Sequence, residues 1–475
     1  MLSSFTVSNY KSFDTAQCLT MHAGKIRSNV DRIFTLKGFR LLKFLAIYGA
    51  NASGKSTLVN ALRFAQDIIL NGLPVDCGND YCRVKEENRN NPSVFTFEFT
   101  FEDKIYNYGF EVILSEGKFI SEHLWEINRT LGHKVIFFRD IVRGMYNVDS
   151  YFKGKEANDR LRIYAEDICK DDTALLLQQM NQNKNNLYAS FQELSIYRRI
   201  YQWFKFKLSV NYPDRPITNY SYITNERNIA QINSLLNEFG TGISEFKIVE
   251  VSLDKVTARI PKDLYEHIIE TLSEQKKHNE KVEPLSIPSV MIRSTDNSMF
   301  IIQSTDNGYI CKTIEFVHHG CSSLFSLSEE SDGTIRLLDL IEVLLCDDSE
   351  QVYVIDEINR RFHPLLTRKF IEEYLKLAVK RNIQLIVTTH ESELMSFDLL
   401  RKDEIAFVSK NDLGTSNYYS MENFDARFDK RVRNAYLHGD YGAIPIFKKS
   451  TVTSSEQKAV SAEFTKLKRT SKGGK

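Results

Sequence analysis

The stretch GANASGKS, Gly49 to Ser56, matches the pattern GxxxxGK[ST] at every fixed position. It follows the apolar run Leu41 to Tyr48, which predicts a buried strand. It precedes a run from Ser56 to Asn71 whose apolar residues recur with helical spacing. Glycines let the backbone wrap closely around phosphate, and the N–H groups of the loop and of the helix N-terminus bind it. The sequence therefore predicts a strand, a nucleotide-binding loop and a helix in that order.

The loop and the first helical turn supply the predicted nucleotide ligands. The Lys55 ammonium is expected to reach the β- and γ-phosphates as a catalytic group, and the Ser56 hydroxyl is expected to bind Mg²⁺. The full predicted set is Gly49, Asn51, Ser53, Gly54, Lys55, Ser56 and Thr57. The pattern therefore predicts ATP and Mg²⁺ as cofactors.

Two further apolar runs end in polar groups that suit the same chemistry. Asp356 and Glu357 follow the run Val352 to Ile355, and His390 comes soon after the run Ile383 to Thr388. We expect Asp356 to hold Mg²⁺, Glu357 to act as general base and His390 to contact the γ-phosphate or the attacking water. The alternative is a helix cap at Asp356, a surface charge at Glu357 and a loop residue at His390.

A serine and a glycine open the helix that precedes the two carboxylates. Ser331 and Gly333 lie in the segment LSEESDGT, and a helical pattern runs from Thr334 to Leu345. The Ser331 hydroxyl and the Gly333 N–H are candidates for binding phosphate, and a simple helix cap is the alternative. The sequence leaves both possibilities open.

The composition excludes several classes of protein. Among 475 residues, 62 Lys and Arg balance 62 Asp and Glu, so the chain as a whole lacks the basic character of a nucleic-acid-binding domain. No apolar run is long enough for a membrane span, and the N-terminus lacks the pattern of a secretory signal. Seven scattered cysteines without a CxxC pair favour reduced thiols. We therefore expect a cytoplasmic protein without a membrane partner.

Periodicity along the chain predicts an α/β fold in several parts. A hairpin is predicted at Val94 to Ile113 and further antiparallel strands at Glu122 to Phe138, whereas strand–helix–strand alternation near the carboxylates predicts a parallel sheet. Four segments are expected. They are an N-terminal ATPase lobe with an antiparallel sheet (1–180), an α+β insertion (181–320), a C-terminal ATPase lobe (321–447) and a disordered basic tail (448–475).

These motifs together resemble a known family. Their order is similar to that of the ABC-type ATPase core of the RecF, SMC and OLD-like families, a P-loop fold with a two-lobed head. The resemblance implies that Ser331 and Gly333 complete the nucleotide site of the opposite subunit, although LSEESDGT departs from the usual LSGGQ. The opening segment resembles the first strand of that group, which implies that Lys11 and Ser12 touch the nucleotide. It also implies a glutamine that couples Mg²⁺ to the lobes, for which Gln178 is the candidate metal ligand beside its neighbour Gln179.

A narrower resemblance rests on GANASGKSTL, on DEINRRFHP (Asp356 to Pro364) and on AYLHGDYGAIP (Ala435 to Pro445). These segments resemble the stand-alone AAA-type, OLD-related ATPases of prokaryotic anti-phage defence, including PARIS-like systems. The resemblance implies an ATP-hydrolysing enzyme, a homo-oligomer of at least two subunits and a separate effector such as a nuclease. Since only about 30 residues follow Pro445, we expect that effector on another chain.

Two alternatives concern nucleic acid. A RecF-like maintenance ATPase would clamp DNA directly. The segment YRRIYQWFKFKL, Tyr197 to Leu208, interleaves aromatic and basic residues, which suits either nucleic acid or an amphipathic helix. It lies in a longer predicted helix from Leu187 to Leu208. The basic tail is a second candidate for binding nucleic acid.

Overall fold

Apolar runs from distant parts of the sequence meet in one central sheet. The computed structural model describes residues 1–128, 132–148, 151–213, 221–224, 226–279, 289–294, 296–305, 308–347, 350–424 and 432–444. The chain divides into two units, Met1–Ala443 and Ile444–Lys475, and every element below belongs to the first. The predicted basic tail, 448–475, lies outside the described residues.

The described strands are numbered in chain order. They are β1 (Leu2–Ser8), β2 (Gln17–Thr20), β3 (Ile33–Leu36), β4 (Phe39–Leu42), β5 (Phe44–Tyr48), β6 (Ser93–Phe101), β7 (Lys104–Ile113), β8 (Lys118–Asn128), β9 (Gly132–Asp140), β10 (Met145–Asn147), β11 (Leu208–Asn211), β12 (Ile243–Val251), β13 (Ser289–Arg293), β14 (Met299–Thr305), β15 (Gly308–His318), β16 (Leu324–Ser326), β17 (Val352–Ile355), β18 (Gln384–Thr389), β19 (Ile405–Lys410) and β20 (Ser416–Ser420).

The described α-helices are numbered in the same way. They are α1 (Lys55–Asn71), α2 (Lys155–Ile168), α3 (Leu176–Gln179), α4 (Asn185–Ser190), α5 (Ser195–Gln202), α6 (Glu226–Glu238), α7 (Leu253–Thr257), α8 (Lys262–Asn279), α9 (Asp332–Leu345), α10 (Pro364–Ala378) and α11 (Val432–His438).

The central sheet has six strands in the order β11-β17-β18-β5-β19-β20. The first five run parallel, and β20 returns antiparallel along β19. Leu45 and Ile47 belong to the main core cluster together with residues of α1, whereas Phe44 on the other face contacts Tyr374 of α10. Because both faces are covered by helices, the strands are continuous apolar runs, as expected for a parallel sheet.

A seven-stranded sheet in the order β10-β9-β8-β7-β6-β1-β2 forms the second layer. The alternating Phe95, Phe97 and Phe99 of β6 are fully buried, so this face packs into the main core. The predicted hairpin at Val94 to Ile113 is confirmed by β6 and β7, whose antiparallel pairing runs from Ser93–Val112 to Phe101–Lys104. The predicted strands at Glu122 to Phe138 are confirmed by β8 and β9.

A third sheet lies mainly within the predicted insertion, and only its strand β16 falls in the predicted C-terminal lobe. Strands β12, β15, β14 and β13 pair in that order, and β16 joins β15. Residues of α7 and α8 cover one face and form a separate small core with Phe300, Ile302 and Cys311. The predicted α/β fold, with a mixed core sheet, an antiparallel lobe and an α+β insertion, is thus confirmed.

The predicted helix from Leu187 to Leu208 is wrong as a single element. Helices α4 and α5 are separated by a short turn, and Trp203–Lys207 then forms a π-helical turn before β11 begins. The Gln66 side chain from α1 donates to the carbonyls of Phe204 (2.6 Å) and Leu208 (2.7 Å). This tertiary partner satisfies backbone groups where the α-helical pattern ends. Strand β11 from this segment joins the core sheet beside β17.

The predicted strand at Leu41 to Tyr48 is also interrupted. β4 ends at Leu42 and pairs with β3 in a two-stranded ribbon, whereas β5 starts at Phe44 in the core sheet. Lys43 between them is buried, and its Nζ donates to the Ala378 carbonyl (2.7 Å). The apolar run is therefore shared between two sheets.

Candidate functional site

The loop after β5 has the shape that phosphate binding requires. Gly54 adopts a left-handed φ of 113° and directly precedes α1. A Cβ added to Gly49 would lie 2.4 Å from the Val408 carbonyl oxygen, so a side chain there would force the loop to shift. Ser53 Oγ is buried and has no hydrogen-bond partner within this loop or its surroundings. An unsatisfied hydroxyl in a closely wrapped loop fits a site built for a polar ligand.

The Lys55 side chain is folded back onto the loop. Its Nζ donates to the carbonyls of Gly49 (2.7 Å) and Ala50 (3.0 Å), and the side chain is almost completely buried. Burial lowers the pKa of Lys55, while the carboxylates of Asp356 and Glu357 act in the opposite direction. The ammonium therefore lies in the field of the two carboxylates that the sequence assigns to the same site.

The remaining predicted ligands of the loop surround this lysine. Ser56 and Thr57 lie in the first turn of α1, where Ser56 is exposed and Thr57 is half-buried. Asn51 is exposed at the tip of the loop, and Ala52 next to it has a left-handed φ of 62°. The predicted loop residues are thus contiguous in space as well as in sequence.

Asp356 and Glu357 lie at the carboxyl end of β17 and are positioned by one threonine. Thr388 Oγ1 of β18 donates to Asp356 Oδ1 (2.5 Å) and accepts from the Glu357 backbone N–H (2.8 Å). Asp356 is buried, whereas Glu357 is partly exposed with a left-handed φ of 48°. The neighbouring β18 therefore fixes both carboxylates relative to the sheet.

His390 follows β18 and contacts the same loop. Its Nε2 lies 3.1 Å from Asn359 Nδ2, and Asn359 Oδ1 accepts from Thr389 Oγ1 at 3.1 Å. The ring is exposed at the edge of the sheet. The histidine is therefore oriented by a residue only two positions after the predicted general base.

Parallel pairing brings these groups to one edge of the sheet. In the register of the core, Ile355 lies opposite Val387, and Thr389 lies opposite Tyr48. The loop after β5, the carboxylates after β17 and the histidine after β18 consequently leave the sheet at the same end. Ligands of open α/β sheets bind at the carboxyl ends of the strands.

Asn211 is a further candidate that the sequence analysis missed. It ends β11, pairs in parallel register with Ile355, and its carbonyl accepts from the Asp356 backbone N–H (3.0 Å). It is buried next to Asp356, the predicted metal ligand. An amide that ends a short apolar run, LSVN, is the only local signal, and the helical pattern before it obscured this signal.

Gln178 does not lie near Ser56, so the structure does not bring it together with the other predicted metal ligands. It belongs to α3, as does Gln179, and its amide lies 3.4 Å from the position of a Cβ on Gly72. Gly72 directly follows the last residue of α1, whereas Ser56 lies in the first turn of the same helix. At a rise of 1.5 Å per residue, these two residues are about 24 Å apart. The physical reason is that α3 packs at the opposite end of this helix.

Ser12 lies beside the phosphate loop, and Lys11 next to it points to another partner. Ser416 Oγ donates to the Ser53 carbonyl (2.6 Å) and is hydrogen-bonded to Ser12 Oγ (2.8 Å). Lys11 Nζ lies 3.6 Å from Asp80 Oδ1. Ser416, from the start of β20, was not recognised in the sequence because only the tertiary fold brings it to the loop.

Ser331 and Gly333 lie at the N-terminus of α9, as the sequence predicts. The Ser331 hydroxyl accepts from the Thr334 backbone N–H (3.1 Å) and therefore caps the helix. The Arg361 carbonyl lies 3.5 Å from the position of a Cβ on Gly333, and Arg361 Nη1 is 3.8 Å from Asp332 Oδ1. The cap is thus observed, and a role in binding the phosphate of another subunit remains a hypothesis.

The aromatic and basic segment Tyr197 to Leu208 mainly serves the core. Tyr197, Trp203 and Phe204 are buried, and Trp203 stacks on Phe99 with ring centroids 4.1 Å apart. Phe206 is the exposed aromatic residue of this segment. Most of its rings are therefore inaccessible to nucleic acid, which favours the structural alternative.

Within the ranges that the structure describes, no helix is both long and apolar enough to cross a membrane. In the same ranges no group of three or more His, Cys, Asp or Glu side chains forms a ready-made metal cluster. Ser56 and Asp356 are the predicted Mg²⁺ ligands, and their side chains supply the oxygen atoms that this ion prefers.

Solved structures give distant similarities. An SMC head bound to the C-winged helix domain of ScpA has 14% identity and a TM-score of 0.38. The alignment covers 88% of this chain and 97% of the SMC head. The SMC head domain from Thermotoga maritima has 12% identity, a TM-score of 0.30 and coverages of 88% and 98%. The third structure is the Smc head domain with an extended coiled coil, bound to the C-terminal domain of ScpA derived from Pyrococcus furiosus. It has 16% identity and a TM-score of 0.34, and the alignment covers 89% of this chain and 97% of that structure.

The family assignment rests on another comparison. No curated protein is similar enough to the chain to count as a match. The model of one family, described as "AAA domain, putative AbiEii toxin, Type IV TA system", matches residues 44–151 and 221–396, which is more than half of the chain. These residues include the phosphate loop, both carboxylates and His390. The chain therefore belongs to this AAA domain family.

Proposed function

We propose that the protein binds ATP with Mg²⁺ and hydrolyses it at the carboxyl edge of the core sheet. One observation supports this function above all. Three neighbouring parallel strands, β17, β18 and β5, place a pair of carboxylates, a histidine and a phosphate loop at the same edge. This combination suits phosphoryl transfer to water, which needs charge stabilisation and a positioned nucleophile.

Each side chain then has a defined role. The Lys55 ammonium exchanges its two loop carbonyls for phosphate oxygens. Glu357 accepts a proton from the attacking water, and His390, oriented by Asn359, donates to the γ-phosphate or the same water. Mg²⁺ held by the Ser56 hydroxyl and Asp356, with Asn211 beside them, would neutralise phosphate charge.

The site is proposed to be completed by a second copy of the chain. Ser331 and Gly333 would present the N-terminus of α9 to a nucleotide bound by the partner, so at least a dimer is needed. In this arrangement the lobes are residues 1–180 and 321–447, with the segment 181–320 inserted between them. Strand β11 shows that this segment also contributes to the core sheet.

The output is proposed to be control of another protein. We infer that the ATPase scaffolds or regulates a separate effector such as a nuclease, in the cytoplasm, as in OLD-like anti-phage defence. The motifs Asp356 to Pro364 and Ala435 to Pro445 support the narrower assignment. A family whose description includes a putative toxin of a type IV TA system is consistent with a defence role.

The test measures turnover and native mass together. The wild-type protein should release phosphate from Mg-ATP, whereas Lys55→Ala should lose nucleotide binding. Glu357→Gln should bind ATP without hydrolysing it and should shift to a larger native mass with Mg-ATP. Full turnover by Glu357→Gln would exclude its role as base, and normal turnover by Ser331→Arg would exclude the shared site.

A second experiment examines the output. Glu357→Gln, purified from its native host with Mg-ATP, should retain one effector protein that Lys55→Ala releases. If the trapped protein instead binds duplex DNA in an ATP-dependent way and retains no protein, the RecF-like DNA clamp replaces the effector hypothesis.

A further inference from the structure

One short loop joins the predicted general base to the surface offered to another subunit. We call residues Asp356–Phe362 the carboxylate loop. It contains two consecutive arginines with different partners. Arg360 Nη1 lies 3.8 Å from Glu357 Oε2, and Arg361 Nη1 lies 3.8 Å from Asp332 Oδ1 at the start of α9.

The contact of Arg360 bears directly on the predicted base. A general base has to approach the proton of water to within about 2.6–3.2 Å. A guanidinium beside the carboxylate competes for that position and holds it toward the loop. The Arg360 and Glu357 side chains are 45% and 37% exposed, and ion pairs of such exposure are weak. The restraint can therefore be displaced at small cost.

The contact of Arg361 connects the carboxylate loop to the start of α9. Arg361 has a left-handed φ of 65°, and its carbonyl lies 3.5 Å from the Cβ position of Gly333. One residue earlier, the Arg360 backbone N–H donates to the Glu357 carbonyl (2.9 Å) in a tight turn. A displacement at the start of α9 is thus passed through one residue to the turn that holds the base.

We propose that Arg360 is a positioning residue that restrains the Glu357 carboxylate in the free subunit. Contact of another subunit with the start of α9 displaces Arg361 from Asp332, shifts the carboxylate loop and releases Glu357. Hydrolysis is thereby suppressed in the isolated subunit and rises on assembly. This role rests on the proposed ATPase function and adds the regulation of its base.

The test compares ATP turnover per subunit over a range of protein concentrations. Arg360→Gln should raise the turnover number at the lowest concentration about two- to fivefold, which corresponds to the loss of one exposed ion pair. It should leave the KM for ATP and the rate at the highest concentration unchanged. Arg63→Gln, which removes the equally exposed pair with Asp67 on α1, is the matched control and should resemble the wild type.

Two additional variants separate this mechanism from a structural effect. Arg360→Gln combined with Glu357→Gln should be inactive, since the added turnover uses the released carboxylate. A rate of Arg360→Gln at or below that of the wild type at low concentration would overturn the restraint. Absence of hydrolysis by the wild type at every concentration would instead refute the proposed function itself.

The link between the carboxylate loop and the start of α9 has its own measurement. Asp332→Asn and Arg361→Gln should each raise the low-concentration turnover, and the double variant should raise it no further than either single change. Fully additive effects of the two changes would overturn the link. Melting temperatures equal to that of Arg63→Gln confirm that each variant is folded.

Discussion

Thr388 is the residue whose substitution tests the geometry of the site most directly. Its hydroxyl is fully buried, donates to Asp356 Oδ1 at 2.5 Å and accepts from the Glu357 backbone N–H at 2.8 Å. Thr388→Val keeps the shape and removes both hydrogen bonds. The Asp356 carboxylate then loses the hydrogen bond that it accepts from the hydroxyl, and the Glu357 backbone N–H loses its acceptor.

The expected loss of activity follows mainly from the hydrogen bond between Thr388 and the charged Asp356 carboxylate. A hydrogen bond to a charged group contributes about 1.5–3 kcal/mol. If Mg²⁺ binding and transition-state stabilisation together lose that free energy, kcat/KM for Mg-ATP falls about 10- to 150-fold. Each 1.36 kcal/mol corresponds to a factor of ten. Groups that orient metal ligands have effects of about 10- to 100-fold, in agreement with this range.

The assay is steady-state phosphate release with titrations of both ATP and Mg²⁺. Thr388→Ser removes only the γ-methyl group and should recover most of the activity, because its hydroxyl is still bonded to Cβ and still reaches Asp356. Thr100→Val is the matched control, since Thr100 is a buried threonine of β6 whose hydroxyl has no hydrogen-bond partner among the residues that the structure describes. A Thr388→Val enzyme within twofold of the wild type, with the same Mg²⁺ dependence, would refute this account of the site.

Three further predictions concern the metal site, the pH dependence of folding and the antiparallel lobe. Asn211→Ala should raise the Mg²⁺ concentration needed for half-maximal turnover several-fold, whereas Gln178→Ala should leave it unchanged; the reverse pattern would restore the glutamine as ligand. Burial raises the pKa of Glu404 to about 7 from 4.5, so between these pH values the folded protein binds more protons than the unfolded chain. The contribution of this group to stability therefore falls by about 3 kcal/mol as pH rises through that window, and Glu404→Gln should remove this slope from the urea midpoints. Arg139→Met should lower the free energy of unfolding of the lobe by about 3–5 kcal/mol, because it leaves the buried Glu122 carboxylate without its ion partner; an unchanged urea midpoint would contradict it.

The local parts of the site could be predicted from the sequence because their geometry is encoded within a few residues. The glycines of the phosphate loop, Lys55 and Ser56 have to be adjacent to act, so their spacing identifies them. The runs before Asp356 and His390 are short and continuously apolar, as strands buried on both faces must be. Alternating aromatic residues likewise identified β6 and β7, since one face of that hairpin is buried.

Residues brought to the site from elsewhere could not be predicted in this way. Asn211 belongs to a four-residue strand whose pairing with β17 spans more than a hundred residues, and its short apolar run merges with a helical pattern. Ser416 reaches the phosphate loop only because β20 returns along β19. Gln178 matched the expected residue type, but α3 packs at the far end of α1.

The sequence by itself determined the class of the protein and the chemical groups of its nucleotide site, because a phosphate loop and strand-end carboxylates depend on local spacing. Only the tertiary structure decided which amide lies beside Asp356, which threonine fixes the carboxylates and how Arg360 and Arg361 join Glu357 to the start of α9. These contacts depend on sheet register and helix packing between distant segments. Such relations are set by the burial of the whole core rather than by any local pattern.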